Sequence, residues 1–307
     1  MNKYLEQNDH PVISLDMIIL NEQDEILLIK RDEEPQKNFW SIVAERIKVD
    51  DDSIESAIQR IVREECGLKV KIEYLVDTLA NPKFDPPADP RFFVVQILYV
   101  VRALTNISEE QEKNDQMKWV NLEEALKIDL AFNHKQLLNI YKENKNKGKL
   151  ISAERTKFSD YYGKPFNYVN EAFPRMAADS IILNEKNEVL LARRARWPYV
   201  GYWDFPGGYI KVNETIKDCA KRQAFEELGV EVEVGELFQV YGDKGQSPKF
   251  MTVAAFFFSE IKDNNYNFKK NLEMDDFQFF SLDNLPDKIA HKYFRVLTDL
   301  KKFINNK

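Results

Sequence analysis

Cysteine, histidine, glycine and proline are all scarce in this chain. Two cysteines, Cys66 and Cys219, cannot build a disulfide framework, and three histidines cannot supply rich zinc chemistry. Ten glycines and twelve prolines exclude a collagen-like or linker-like chain. An excess of basic residues is also lacking. Lys and Arg total 44 against 51 Asp and Glu, a net charge of -7. That balance argues against neutralisation of a nucleic-acid backbone, so no nucleic-acid partner is expected. It leaves room for a small phosphate-bearing ligand, which needs one local positive site. No run approaches the roughly 18 apolar residues of a membrane span, and MNKYLEQNDH at the N-terminus holds no apolar signal segment. A cytoplasmic protein with no membrane partner is the expectation.

What is present is a soluble globular composition, 44% apolar and 31% charged. At roughly 150 residues per domain, 307 residues imply two domains. The chain also repeats itself. DMIILNEQDEILLIKR from Asp16 to Arg31 matches DSIILNEKNEVLLARR from Asp179 to Arg194. Phe39-Trp40 meets Tyr202-Trp203, and Gly67 meets Gly229. PRFFVVQILYV from Pro90 meets PKFMTVAAFFF from Pro248, and MKWVNLEEA meets FQFFSLDNL. The order is kept throughout, which chance similarity would not do.

Each copy opens with apolar runs split by a polar turn, NEQDE or NEKNE, as in two strands joined tightly. Helices are expected over Ser53–Cys66 and Glu214–Leu228, with Asn213 capping the second. More strands follow at Val70–Val76, Phe92–Val101, Val230–Val240 and Met251–Phe258. Each copy closes on a helix, near Asn133–Lys142 and Ala290–Phe303. Mixed strands with packed helices give an α+β reading, or an α-β-α sandwich. The expected divisions are a domain over 1–145, a linker over 146–172 and a domain over 173–307, with the polar run KENKNKGKL (142–150) as a solvated helix tail passing into the linker. Four prolines in Asn81–Pro90 imply a stiff, extended loop beside the first domain's pocket.

The chemistry is carried by GGYIKVNETIKDCAKRQAFEELGV, Gly207 to Val230. Ile216, Ala220 and Ala224 recur at four-residue spacing and should face the core. Gln223, Glu226 and Glu227 share one helical turn, and two carboxylates there form a hard oxygen site for Mg²⁺ or Mn²⁺. A solvated helix face is the other reading of an adjacent glutamate pair. The positions Gly208, Glu214, Arg222, Gln223, Ala224, Glu226, Glu227, Gly229 and Val230 resemble the signature of the Nudix hydrolases. The duplication extends the resemblance over nearly the whole chain, which implies two Nudix-like α-β-α sandwich domains with mixed sheets. It implies roles in catalysis for Arg222, Gln223, Glu226 and Glu227, and a metal site of Gly208, Gln223, Glu226 and Glu227. Family members usually carry Glu where this chain has Gln223. Glutamine offers a neutral carbonyl oxygen but cannot accept a proton at neutral pH. Glu273, Asp275 and Asp276 sit where some members supply a base from a later loop, with Glu273 and Asp276 the preferred pair. Their other reading is a solvated acidic turn.

The first copy departs further. Its glycine pair reads as Glu45-Arg46, Asp52 stands at the first glutamate position, and Ile61 replaces the metal-ligand position, while Arg60, Glu64, Glu65, Gly67 and Leu68 remain. It is expected to be non-catalytic. The resemblance implies hydrolysis of a pyrophosphate bond in a nucleoside diphosphate joined to another moiety, closest to the ADP-ribose and NADH pyrophosphatase-like branch. The paired cysteines of the NADH branch's zinc ribbon are missing, and GDKGQSPKF stands where that branch carries its characteristic motif. Arg194 and Arg196 could contact phosphate through their forks, near Gly207. Tyr199, Trp203, Phe205 and Tyr241 flank the expected pocket and could stack on a base. For Trp203, matched by Trp40, core packing is the alternative. The rival function is a protein that senses a nucleotide without cleaving it. An intrachain pseudo-dimer of the two copies is expected from the duplication.

Overall fold

The computed structural model describes residues 10–107, 116–155, 173–248, 251–263 and 266–306. Of the expected linker, 156–172 lies outside the described residues, as do Lys249 and Phe250 of GDKGQSPKF. The chain divides into two compact units, Met1–Ala153 and Glu154–Lys307. Among the described residues no helix is long and apolar enough to cross a membrane.

The first unit holds β1 (Val12–Leu20), β2 (Ile26–Lys30), β3 (Trp40–Ser41), β4 (Val43–Arg46), α1 (Ile54–Cys66), β5 (Val70–Leu79), β6 (Val94–Ala103), β7 (Met117–Val120), α2 (Leu122–Ala125), α3 (His134–Asn146) and β8 (Ile151–Ser152). One mixed sheet runs β3-β2-β1-β6-β5-β8, with β4 on β1 and β7 on β2. β1 and β6 are parallel, which puts α1 and β5 in the crossover between them. The unit continues to Ala153 because Ile151 and Ser152 pair with β5. Ile18, Leu20, Leu98 and Val100 pack with Leu137, Leu138 and Tyr141 of α3. α1 lies against β4 and β5 through Ile54, Ala57, Ile58, Ile61 and Val62.

The second unit repeats this with β9 (Arg175–Ile181), β10 (Val189–Arg194), β11 (Trp203–Asp204), β12 (Gly207–Tyr209), α4 (Ile216–Leu228), β13 (Val232–Tyr241), β14 (Thr252–Ile261), β15 (Met274–Phe280) and α5 (Phe294–Asn305). Its strands form a sheet β11-β10-β15 and a sheet β12-β9-β14-β13, again with the parallel pair β9–β14. α4 packs on β9, β12 and β13. Val296, Leu297 and Leu300 of α5 close the core over Ala177, Ala254 and Phe256.

The expected strands and helices are present, with shifted ends. The signature helix begins at Ile216, two residues after the expected start. Thr215 caps it by accepting from Asp218 N–H, and Asn213 instead takes φ 66°, a turn conformation that asparagine tolerates. The short strands β3, β4, β7, β11, β12 and β15 have no counterpart in the expected set. Strands of two to four residues carry too little alternation to be read without their partners, and the seven residues of β15 are broken by Asp275, Asp276 and Gln278.

Candidate functional site

Gly207 and Gly208 are strand residues of β12. They pair with Asp179 and Ala178 on β9. A Cβ on Gly207 would stand 2.0 Å from Asp179 Oδ1 and 2.7 Å from the Ala178 carbonyl oxygen. One on Gly208 would stand 2.4 Å from Gln223 Nε2. Glycine is required here because α4 and β9 approach β12 closely.

That approach brings Glu227 to the base of a cleft of about 160 Å³. Gln223, Gly207, Gly208, Asp179, Arg194, Arg196, Asp204 and Glu273 share its walls. Glu227 is 4% exposed and accepts from Gly207 N–H at 3.0 Å. Burial pushes its carboxyl well above the usual range. The Gly207 N–H offsets part of this, and the Asp204 charge adds to it. Burial and the Asp204 charge raise the Asp179 carboxyl in the same direction, with Tyr293 Oη donating to it at 3.2 Å. Arg194 answers this negative interior. It donates to Asp204 Oδ2 at 2.7 Å and to the Pro198 carbonyl at 2.7 Å. His291 Nε2 lies 3.5 Å from the same Asp204 oxygen.

The expected site residues divide. Glu227, Gln223, Gly207, Gly208, Arg194, Arg196 and Glu273 come together on the cleft. Arg196 and Glu273 pair at 2.6 Å across it. Glu226 and Arg222 do not line it. Arg222 forks onto Glu214 at 2.7 and 2.9 Å, onto Glu226 at 3.0 Å and onto the Tyr209 carbonyl at 3.1 Å. Burial disfavours charge on Glu214, yet Arg222 and the Lys211 N–H hold its carboxyl below the ordinary value. Asp276 turns to Arg193, 3.4 Å away, and Asp275 to the same guanidinium at 2.7 Å. Phe205 and Tyr241 are core residues, each 1% exposed, and Tyr241 Oη donates to Asp299. Trp203 packs edge-on against Phe280 at 4.8 Å. Tyr199 meets the His291 ring at 4.7 Å. None of these four aromatic side chains lines the cleft.

Asp179, Asp204, His291 and Tyr293 also line the cleft and were not expected there. One signal was available. Asp16 and Asp179 interrupt apolar strands at the same place in both copies, and a buried carboxylate so placed marks a polar interior.

Strand register corrects the reading of the first copy. Asp16 pairs with Ala44 as Asp179 pairs with Gly207, so Ala44 and Glu45, not Glu45 and Arg46, replace the glycines. Asp51, not Asp52, takes the place of Glu214. Arg60 forks onto Asp51 at 2.8 Å, onto Glu64 at 3.1 Å and onto the Arg46 carbonyl at 3.2 Å. Asp52 is a one-residue insertion ahead of the Ser53 cap. Glu65, the counterpart of buried Glu227, is exposed, and Ile61 is fully buried.

Among the described residues, no three His, Cys, Asp or Glu side chains are grouped as a metal cage. A divalent cation of the magnesium type does not need one. It binds through one or two carboxylates, keeps several waters and takes the rest from substrate phosphate. The chemistry of the donor set fits that pattern. Glu227 brings a hard carboxyl oxygen whose charge is costly in its buried setting, and Gln223, one turn away on the same helix, brings an amide carbonyl.

The NUDIX domain family matches residues 10–139 and 173–300. An ADP-ribose pyrophosphatase of Methanocaldococcus jannaschii is 28% identical over 43% of this chain and 76% of its own length. The ADPR responsive transcriptional repressor NtrR of Acinetobacter baylyi is 33% identical over 42% of this chain, which spans about half, 52%, of that relative. Among solved structures, a MutT NUDIX hydrolase from Burkholderia pseudomallei is 25% identical over 41% of this chain and 96% of its own, with a TM-score of 0.38. With both halves of the chain matched, this protein belongs to the NUDIX domain family, as a tandem pair.

Proposed function

We propose that the second unit is a divalent-cation-dependent hydrolase that cleaves the pyrophosphate bond of a nucleoside diphosphate joined to another moiety. ADP-ribose-like compounds, dinucleotides and nucleotide sugars are the candidate substrates. The observation that carries the reading is Glu227. It is a buried carboxylate at the base of the cleft, bonded by one backbone N–H and raised by burial toward neutrality. An acid kept at that cost has a use for positive charge.

Glu227 and Gln223, with backbone at Gly208, would hold the cation. When bound, it would offset phosphate charge and acidify the attacking water. Arg194 and Arg196 present guanidinium groups to the diphosphate. Glu273 is the acid from the later loop that reaches the cleft, and Arg196 holds it there at 2.6 Å. Water attacks one phosphorus, the bridging P–O bond breaks, and the proton of the water passes to Glu273. The test is a hydrolysis screen with ADP-ribose, NADH, nucleotide sugars and dinucleoside polyphosphates, with Mg²⁺ and with chelator. Metal-dependent cleavage between two phosphates, giving two monophosphates from a diphosphate-bridged substrate, supports the reading. No turnover of any class would refute it.

The second reading is binding without cleavage. Gln223 in place of a carboxylate and Glu226 held by Arg222 both favour it, and one relative carries the name of an ADPR responsive repressor. Saturable, Mg²⁺-dependent binding of ADP-ribose without turnover would select it.

A further inference from the structure

On the same sheet as Gly207, the cleft is lined by hydroxyl groups. Tyr209 Oη and Thr252 Oγ1 are 3.2 Å apart, and Ser247 hydrogen-bonds to the same phenol. Ser247 and Thr252 are 1% and 4% exposed, so these hydroxyls are built into the wall. Tyr209 follows Gly207 by two strand residues, about 7 Å at a rise of ~3.3 Å per residue. That is roughly the reach from a phosphate to the ring hydroxyls of the sugar it esterifies. The arginines of the cleft come from β10 and the segment after it, in the other sheet.

The first unit provides an internal contrast. Its strand register places Arg46 at Tyr209, Val94 at Thr252, Ser14 at Ala177 and Gln96 at Ala254. Gln96 then reaches Asp16 at 3.1 Å and Asn133 at 3.2 Å, whereas Ala254 lies in the core of the second unit with Tyr293, whose Oη donates to Asp179. The unit that lost the glycines and buried Ile61 has also lost both hydroxyls.

We propose that Tyr209, Thr252 and Ser247 form a sugar subsite, receiving vicinal hydroxyls of a sugar carried on the diphosphate. This rests on the pyrophosphatase reading of the same cleft. Each protein hydroxyl can donate and accept, as each sugar hydroxyl can. A wall whose hydroxyls bond those of the substrate favours it over an analogue that offers only apolar surface.

The experiment is calorimetric binding to the full chain in Mg²⁺, independent of turnover. The probes are α,β-methylene ADP, its terminal ribosyl ester and its terminal pentyl ester. The ribosyl ester should bind at least about tenfold tighter than the pentyl ester. Thr252→Val and Ser247→Ala should each reduce that preference to about threefold or less, leaving the parent diphosphate unchanged. Tyr209→Phe, which keeps the ring, provides a third variant if either of those melts early. Equal binding of the two esters, or a preference untouched by all three variants, overturns the subsite while the pyrophosphatase reading stands. Binding of none of the probes overturns both.

Discussion

Replacing Asp16 by Asn should stabilise the first unit at neutral pH and leave it unchanged near pH 4. Asp16 is 1% exposed, accepts from Gln96 Nε2 at 3.1 Å, and has no hydrogen-bond partner at Oδ2 among the described residues. Burial outweighs its hydrogen bonds and lifts its pKa from 3.8 to about 7. A raised acid binds its proton more tightly in the folded chain, so its share of stability is complete below the unfolded value and falls as pH rises toward 7. At about 1.4 kcal/mol per pKa unit, the loss reaches about 4 kcal/mol by pH 8. His134, 3.8 Å away, acts in the opposite sense. Burial lowers it from 6.5 to about 3, so its share is complete above 6.5 and is lost as pH falls toward 3. Between pH 4 and 6.5 the two slopes oppose each other, and the wild-type unit should be nearly flat. Asn keeps the acceptor for Gln96 but places an amide where Oδ2 sat, which removes part of the gain. The expected net is about 2 kcal/mol at pH 8. Urea unfolding from pH 4 to 8.5 would measure it, following the transition that the variant moves. The variant should also weaken by about 1.4 kcal/mol per pH unit below pH 6. A pH-independent difference, or a variant weaker than wild type at pH 8, would refute the assignment of Asp16 as a buried, raised acid.

The two signature glutamates should separate in a hydrolysis assay. Glu227→Ala should lower kcat by orders of magnitude, and Glu65→Ala, at an exposed position, should leave it within about twofold, with thermal melts confirming both folds. Gln223→Glu should tighten Mg²⁺ dependence and raise turnover. An unchanged rate at saturating metal would mean the site is built around the amide. Gly207→Ala should destabilise the second unit by about 1–3 kcal/mol, because its Cβ meets the Ala178 carbonyl as well as a side chain. A melting temperature equal to wild type would contradict the close approach of β9 and β12.

The duplication, the strand runs and the two signature helices were legible because each rests on long periodic patterns. Ile216, Ala220 and Ala224 are buried as the four-residue spacing required. The cleft was only half legible. Residues inside the contiguous motif, such as Gln223 and Glu227, were found with it. Asp204 and His291 lie 87 residues apart in sequence and meet only because Ala290 N–H bonds to the Trp203 carbonyl, which seats the segment before α5 beside β11. No local pattern announces such a pairing. The aromatic expectation divides: Tyr199, Phe205 and Tyr241 do not line the cleft, and Trp203 takes the packing role that was its other reading. Phe205, Trp203 and Tyr241 flank the motif in sequence, but Phe205 and Tyr241 point into the α5 core and Trp203 leans on Phe280. Asp52 was misplaced because an insertion of one residue is invisible when acids stand at 50, 51 and 52 alike.

The signature itself contains two devices that sequence spacing cannot separate. One is the cleft, Gly208, Gln223 and Glu227, present only in the second unit. The other is the arginine fork, which clamps the start of the helix to the preceding strand. Its contacts recur in both units: Arg222 with Glu214, Glu226 and the Tyr209 carbonyl, and Arg60 with Asp51, Glu64 and the Arg46 carbonyl. A clamp kept in the copy that lost its glycines serves the fold. Arg222→Lys and Arg60→Lys should therefore destabilise their own units by similar amounts, about 1–3 kcal/mol, since lysine keeps the charge but loses the fork. Unfolding of each variant, followed beside hydrolysis at saturating Mg²⁺, tests this. Turnover per folded molecule should fall little in Arg222→Lys and not at all in Arg60→Lys. A large loss of kcat in Arg222→Lys at wild-type stability would place the fork in the chemistry and refute the division.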